Sequence, residues 1–166
     1  MTIERQVTVV PYDARWPEIF KREAAIIREA LGENCLDIYH IGSTAVPGLA
    51  AKPIVDIMPV VKDINKVCEI PQYIAMGEYG IVGRRYFYKE ENKLRKVHIH
   101  IFQDSSPEII KHLRFRDWMR NNGDDLEKYA NLKILLADKF PNDIDKYCSG
   151  KKDFITSIYE KCLIDL

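Results

Sequence analysis

The sequence predicts an α+β fold: a core of strands and helices over residues 1–104, with a helical tail over 105–166 packed on it in one domain. Three observations carry this. Strand and helix patterns mix up to Phe102 and give way to helical spacing alone afterwards. Residues Pro53 to Val61 form a nearly continuous apolar run, the mark of a central strand covered on both faces. A chain of 166 residues with 46% hydrophobic content is long enough to bury a real core.

The elements follow in order. Gln6 to Val10 reads as a short strand closed by Pro11. Asp13 is placed to cap a helix, with Pro17 in its first turn. Ile19, Phe20, Ala24, Ile27, Ala30 and Leu31 then recur at helical spacing, and Gly32 supplies the stop. Leu36 to Ile41 is a strand entering a Gly42-Ser43 loop, and Pro47-Gly48 marks a turn. After the apolar strand, Asp63 caps an expected element from Ile64 to about Met76, interrupted by Pro71. Ile81–Tyr88 and Leu94–Phe102 flank a polar turn, Lys89 to Lys93, as a hairpin. Ser105 or Ser106 with Pro107 and Glu108 starts a helix that runs to about Arg120. Asn122-Gly123 separates it from a second, Asp124 to Lys139. Pro141-Asn142-Asp143 opens the last helix, with a kink expected at Gly150 and an end at the C-terminus.

The bulk numbers narrow the function classes. Basic and acidic residues balance at 25 each, so no global field draws nucleic acid or an anionic membrane. No apolar run reaches signal-peptide or membrane-span length. The four cysteines are widely spaced without a C-x-x-C pair, which reads as reduced thiols in a cytoplasmic protein.

The chemistry concentrates between His40 and Ile57. A Gly-Ser turn offers backbone N–H groups and a hydroxyl, which suit a phosphate. Twelve residues separate Ser43 from Asp56, enough for the chain to return alongside. A lone Asp between Val55 and Ile57 is costly to bury without a cation or a hydrogen-bond partner. On the later hairpin strand, His98 and His100 alternate with Val97, Ile99 and Ile101, so both imidazoles share a face. Tyr129-x-x-x-Lys133 and Tyr147-x-x-x-Lys151 each set a phenol and an ammonium one helical turn apart. A Lys stem lying over a packed ring explains such a pair, and so does a shared anionic ligand. Arg116 reads either as a salt-bridge partner of Asp117 or as a bidentate phosphate contact. The hairpin from Arg84 to Lys96 interleaves aromatic and basic residues, but Glu90 and Glu91 dilute it and a solvated edge looks the same.

The run His-Ile-Gly-Ser-Thr-Ala-Val-Pro-Gly-Leu from His40, followed by Ala-Lys-Pro-Ile-Val-Asp-Ile from Ala51, resembles the signature of the GrpB-like family of the nucleotidyltransferase superfamily. Tyr12 with Trp16-Pro17, His98-Ile99-His100, Phe115-Arg116-Asp117, the two Tyr–Lys pairs and Phe154 extend the resemblance over nearly the whole chain. It implies a nucleotidyltransferase-like mixed sheet with a helical extension. It also implies that Gly42 and Ser43 hold nucleotide phosphates and that Asp56, as first carboxylate, holds a divalent metal. The second carboxylate of the superfamily motif falls at Met58, which cannot ligate magnesium as an acid does. His98 and His100 are the candidates to complete the metal site, favouring manganese, iron or zinc over magnesium. Lys52, Arg84, Arg116, Lys133 and Lys151 are the candidate cations around a nucleotide or phosphorylated small molecule. The expectation is therefore nucleotidyl transfer to a small acceptor, with Asp56 and Ser43 at its centre, or a non-catalytic nucleotide- or coenzyme-binding module. A histidine-triad phosphohydrolase is the lesser alternative, because its third His position holds Phe102.

Overall fold

The computed structural model describes residues 6–163. Helix α1 spans Trp16–Leu31, and strands β1 and β2 span Cys35–Ile41 and Val55–Val61. A two-residue β3, Ile74–Ala75, precedes the hairpin of β4, Arg85–Glu91, and β5, Leu94–Gln103. Helices α2, Pro107–Asn121, α3, Gly123–Lys139, and α4, Ile144–Cys162, complete the chain. The strands form one mixed sheet in the order β1-β2-β5-β4-β3. Only β2 and β5 pair in parallel; every other neighbouring pair is antiparallel.

The two faces of β2 have different neighbours. Val55, Ile57 and Val61, with Val97, Ile99 and Ile101 of β5, pack against Trp16, Ile27 and Leu31 of α1. Each such fully buried side chain contributes roughly 1.5–3 kcal/mol of apolar burial. On the other face Met58 joins Ile41 and Phe102, covered by Ile109 and Leu113 of α2. Glu23 of α1 is buried and joins the helix to the sheet edge: Tyr73 donates to it at 2.7 Å and Lys89 at 3.0 Å.

Several expectations are corrected. Gln6–Val10 is no strand; among the described residues it makes one isolated bridge, Val10 with Ala51. Asp13 binds the Arg15 amide and guanidinium in a turn just before α1, and Arg15 takes the cap position without a side-chain cap. The element expected from Ile64 shrinks to a 3₁₀ turn, Ile64–Lys66, capped by Asp63, which accepts from the Asn65 amide. Pro71 and the left-handed Gln72 (φ 72°) prevent its continuation. The strand expected from Ile81 starts at Arg85, because Gly77, Tyr79, Gly80 and Gly83 all have positive φ. The hairpin turn tightens to Asn92-Lys93, both left-handed, as a two-residue turn demands. No kink separates α4 at Gly150; a Cβ there would lie 2.4 Å from Leu136 Cδ2, so the glycine serves the close approach of α3. The last helix, expected to reach the C-terminus, ends at Cys162 with Leu163 at its cap position, and residues 164–166 lie outside the described residues. Ser106 and Pro107 open α2 as the sequence predicts.

Candidate functional site

Strand alternation builds the centre of the site. Asp56 pairs with His98 across the parallel β2–β5 ladder and shares its face with Met58. Met58 is fully buried among apolar side chains, so this face carries one carboxylate and then becomes core.

The Gly-Ser loop folds directly onto that carboxylate. Gly42 has φ 72°, and a Cβ on it would stand 2.7 Å from Asp56 Oδ2. Both the backbone conformation and the close approach therefore require glycine. Ser43–Ala45 then forms a 3₁₀ turn in which the Ala45 and Val46 amides bond back to Gly42 and Ser43. The expected N–H cradle narrows to Ser43 and Thr44, whose amides have no partner within the turn. His40 stacks on Phe20 and meets Thr44 Oγ1 at 2.9 Å; burial pushes its pKa down to about 4, so it stays neutral. Arg116 does not line the cavity. Its guanidinium donates to the His40 carbonyl at 3.2 Å and to Asp117 at 2.9 Å, and Arg120 similarly holds the Ala45 carbonyl. These arginines clamp the loop.

A cavity of about 110 Å³ opens beside the loop, lined by Ser43, Lys52, Asp56, His98, Lys133 and Lys151 among others. The two Tyr–Lys pairs meet here from different helices. Lys133 lies over the Tyr129 ring at 4.6 Å, and Lys151 over the Tyr147 ring at 4.7 Å. Lys133 is 1% exposed, and its Nζ has no hydrogen-bond partner among the described residues; the same holds for the Tyr147 hydroxyl. Burial, followed by the like charges of Lys151 and Lys52, pushes the Lys133 pKa down to about 6. Lys151 is lowered by burial and then by Lys52.

Asp56, His98 and His100 come together as the sequence predicts, each offering one atom within 4.8 Å of the others. His100 Nε2 lies 2.9 Å and His98 Nδ1 3.6 Å from Asp56 Oδ1. Burial would raise the Asp56 carboxyl, but the hydrogen bond from His100 and the adjacent His98 imidazole outweigh it and hold the pKa below the usual carboxylate range. Burial lowers His98. Arg84 is outside the cavity lining and reaches the cluster from behind, with Nη1 at 3.2 Å from His100 Nδ1. It also donates to the carbonyls of Glu78 and Tyr79.

This cluster has the spacing of a divalent-metal site but not its donor pattern. A ligating histidine donates its other ring N–H to an acceptor. The other nitrogen of His100 faces a guanidinium, and that of His98, Nε2, is buried without a partner among the described residues. Neither the Arg84–His100 contact nor the complete burial of Lys133 has a local sequence signal, because both depend on which loop and which helix close over the sheet.

The GrpB protein family model matches residues 6–161. The chain belongs to the GrpB family. That family is part of the nucleotidyltransferase-like superfamily. The fold matches the crystal structure of conserved protein GrpB from Enterococcus faecalis with a TM-score of 0.88 and 42% identity, over 94% of this chain and 97% of that one. UPF0157 protein YqkA of Bacillus subtilis is 37% identical over 95% of this chain, which spans 47% of that protein's length. A more distant similarity, 25% identity, links 93% of the chain to 46% of a dephospho-CoA kinase from Mycolicibacterium paratuberculosis. Among the described residues, no helix is long and apolar enough to cross a membrane.

Proposed function

We propose that this GrpB protein binds a nucleotide or another phosphorylated small molecule, with phosphoryl oxygens seated in the lysine cavity against Ser43. The carrying observation is the Lys133 amine, buried and without a hydrogen-bond partner among the described residues, beside Lys52 and Lys151. A buried cation without a counter-ion is costly, and a phosphoryl group would relieve that cost at three lysines together. The similarity to a dephospho-CoA kinase supports a ligand of nucleotide or coenzyme type. The four unpaired cysteines support a reducing, cytoplasmic setting.

Within this reading, Met58 favours binding over nucleotidyl transfer. It occupies the position of a second carboxylate, yet it is sealed into the apolar cluster with Ile41 and Phe102. Asp56 is the acid left on that face for orienting an acceptor hydroxyl. The test is thermal stability with phosphate, pyrophosphate and adenosine triphosphate. Ligand at 100 times its dissociation constant adds about 2.7 kcal/mol, a rise of roughly 5–10 °C for a chain of this size. A flat response to all three ligands contradicts the proposal.

A further inference from the structure

We infer that Arg84 locks His100 and Asp56 in a hydrogen-bonded relay, so that the Asp56–His98–His100 cluster takes no divalent metal and anions enter the lysine cavity without a cation. The metal half of this inference stands on the cluster alone; the anion half rests on the reading above.

Arginine only donates. With Arg84 Nη1 at 3.2 Å, His100 Nδ1 must present its lone pair, and the ring proton sits on Nε2, facing Asp56 Oδ1 at 2.9 Å. A metal on Nε2 would move that proton to Nδ1 and set it against a guanidinium N–H. Arg84 cannot turn away cheaply. It is 6% exposed, donates to two carbonyls of the loop before it, and lies 4.9 Å over the Tyr86 ring. His98 offers no better second partner, since its Nε2 is buried without a hydrogen-bond partner among the described residues. The field points the same way. The cavity that shares Asp56 and His98 holds Lys52 and Lys151, with Lys133 ready to take a proton as an anion arrives, so it favours anions over cations.

Nitrogen-15 NMR of the native protein reads the tautomer directly. His100 is expected with Nε2 protonated and Nδ1 bare; a protonated Nδ1 overturns the inference. Titration with cobalt(II) alone is expected to show no stoichiometric site. One-to-one cobalt binding lost in Asp56→Ala also overturns it. Arg84→Glu places an acceptor opposite Nδ1, and this variant is expected to gain a cobalt site with visible absorption. A folded variant that gains none overturns the role given to Arg84; if the variant does not fold, the native spectrum and titration decide. The pyrophosphate-induced rise in melting temperature is expected to be equal with chelator and with magnesium. A rise that needs magnesium contradicts this inference alone, whereas no rise under any condition contradicts the phosphate reading and leaves the tautomer result standing.

Discussion

Lys133 Nζ lies 4.6 Å from the centre of the Tyr129 ring, buried and without a hydrogen-bond partner among the described residues. The ring face offers a cation at most a few kcal/mol, less than the desolvation of an ammonium. With a pKa pushed down to about 6, the amine is mostly neutral in the free protein near pH 8.

Anion binding is therefore linked to proton uptake. Sulfate stays doubly charged throughout this range and serves as the probe. Its arrival favours the ammonium and draws the Lys133 pKa up toward the ordinary lysine value. Affinity should rise as pH falls from about 10 toward 6 and level off below. Of the other groups facing the cavity, His98 is held low and Asp56 stays ionised, so neither titrates near pH 8; Lys151, lowered by burial and by Lys52, shares any uptake with Lys133, and Lys52 is the remaining cation. Calorimetry at pH 8 in buffers of different ionisation enthalpy should report uptake approaching one proton. Binding without uptake would assign the affinity to cations already charged in the free protein and not to Lys133.

Gly42→Ala tests the fit between loop and carboxylate. The added Cβ meets Asp56 Oδ2 at 2.7 Å in a left-handed backbone. Strain and overlap together should cost about 2–4 kcal/mol and weaken anion binding. Urea denaturation measures the loss, and an unchanged midpoint would mean that the loop does not press on Asp56.

Glu23 is a stability residue far from the cavity. Glu23→Ala leaves Lys89 and Tyr73 unpaired at a partly buried seam and should cost about 3 kcal/mol. Tyr73→Phe removes one bond and should cost about 1 kcal/mol. Both variants should bind sulfate as the native protein does. A deficit in Glu23→Ala no larger than that in Tyr73→Phe would show that the ion pair with Lys89 contributes nothing.

Much of the site was legible in the sequence because it lies on regular elements. Alternation in Val97–Ile101 placed both histidines on one face, and the four-residue spacing of each Tyr–Lys pair placed ring and ammonium together. Met58 was visible as a missing acid, and its burial gives the reason: the position belongs to the core under α2. The reading failed where backbone conformation overrides propensity. The segment from Ile64 to Gly83 carries apolar residues at helical and strand spacings, yet Pro71 and a run of left-handed residues hold it irregular. Arg116 and Arg84 were legible as cations but not by destination. Arginine serves a phosphate and a carbonyl equally well, and their partners lie 76 and 16 positions away in the chain.

Pyrophosphate titration calorimetry on the native protein and on Lys133→Met isolates the role of the buried amine. Methionine keeps the length and packing of the lysine stem and removes an unpaired buried amine, so the variant should be at least as stable as the native protein. The account predicts one pyrophosphate per native chain and at least tenfold weaker binding, about 1.4 kcal/mol, in the folded variant. Equal affinity in both, or no binding to the native protein, would contradict it.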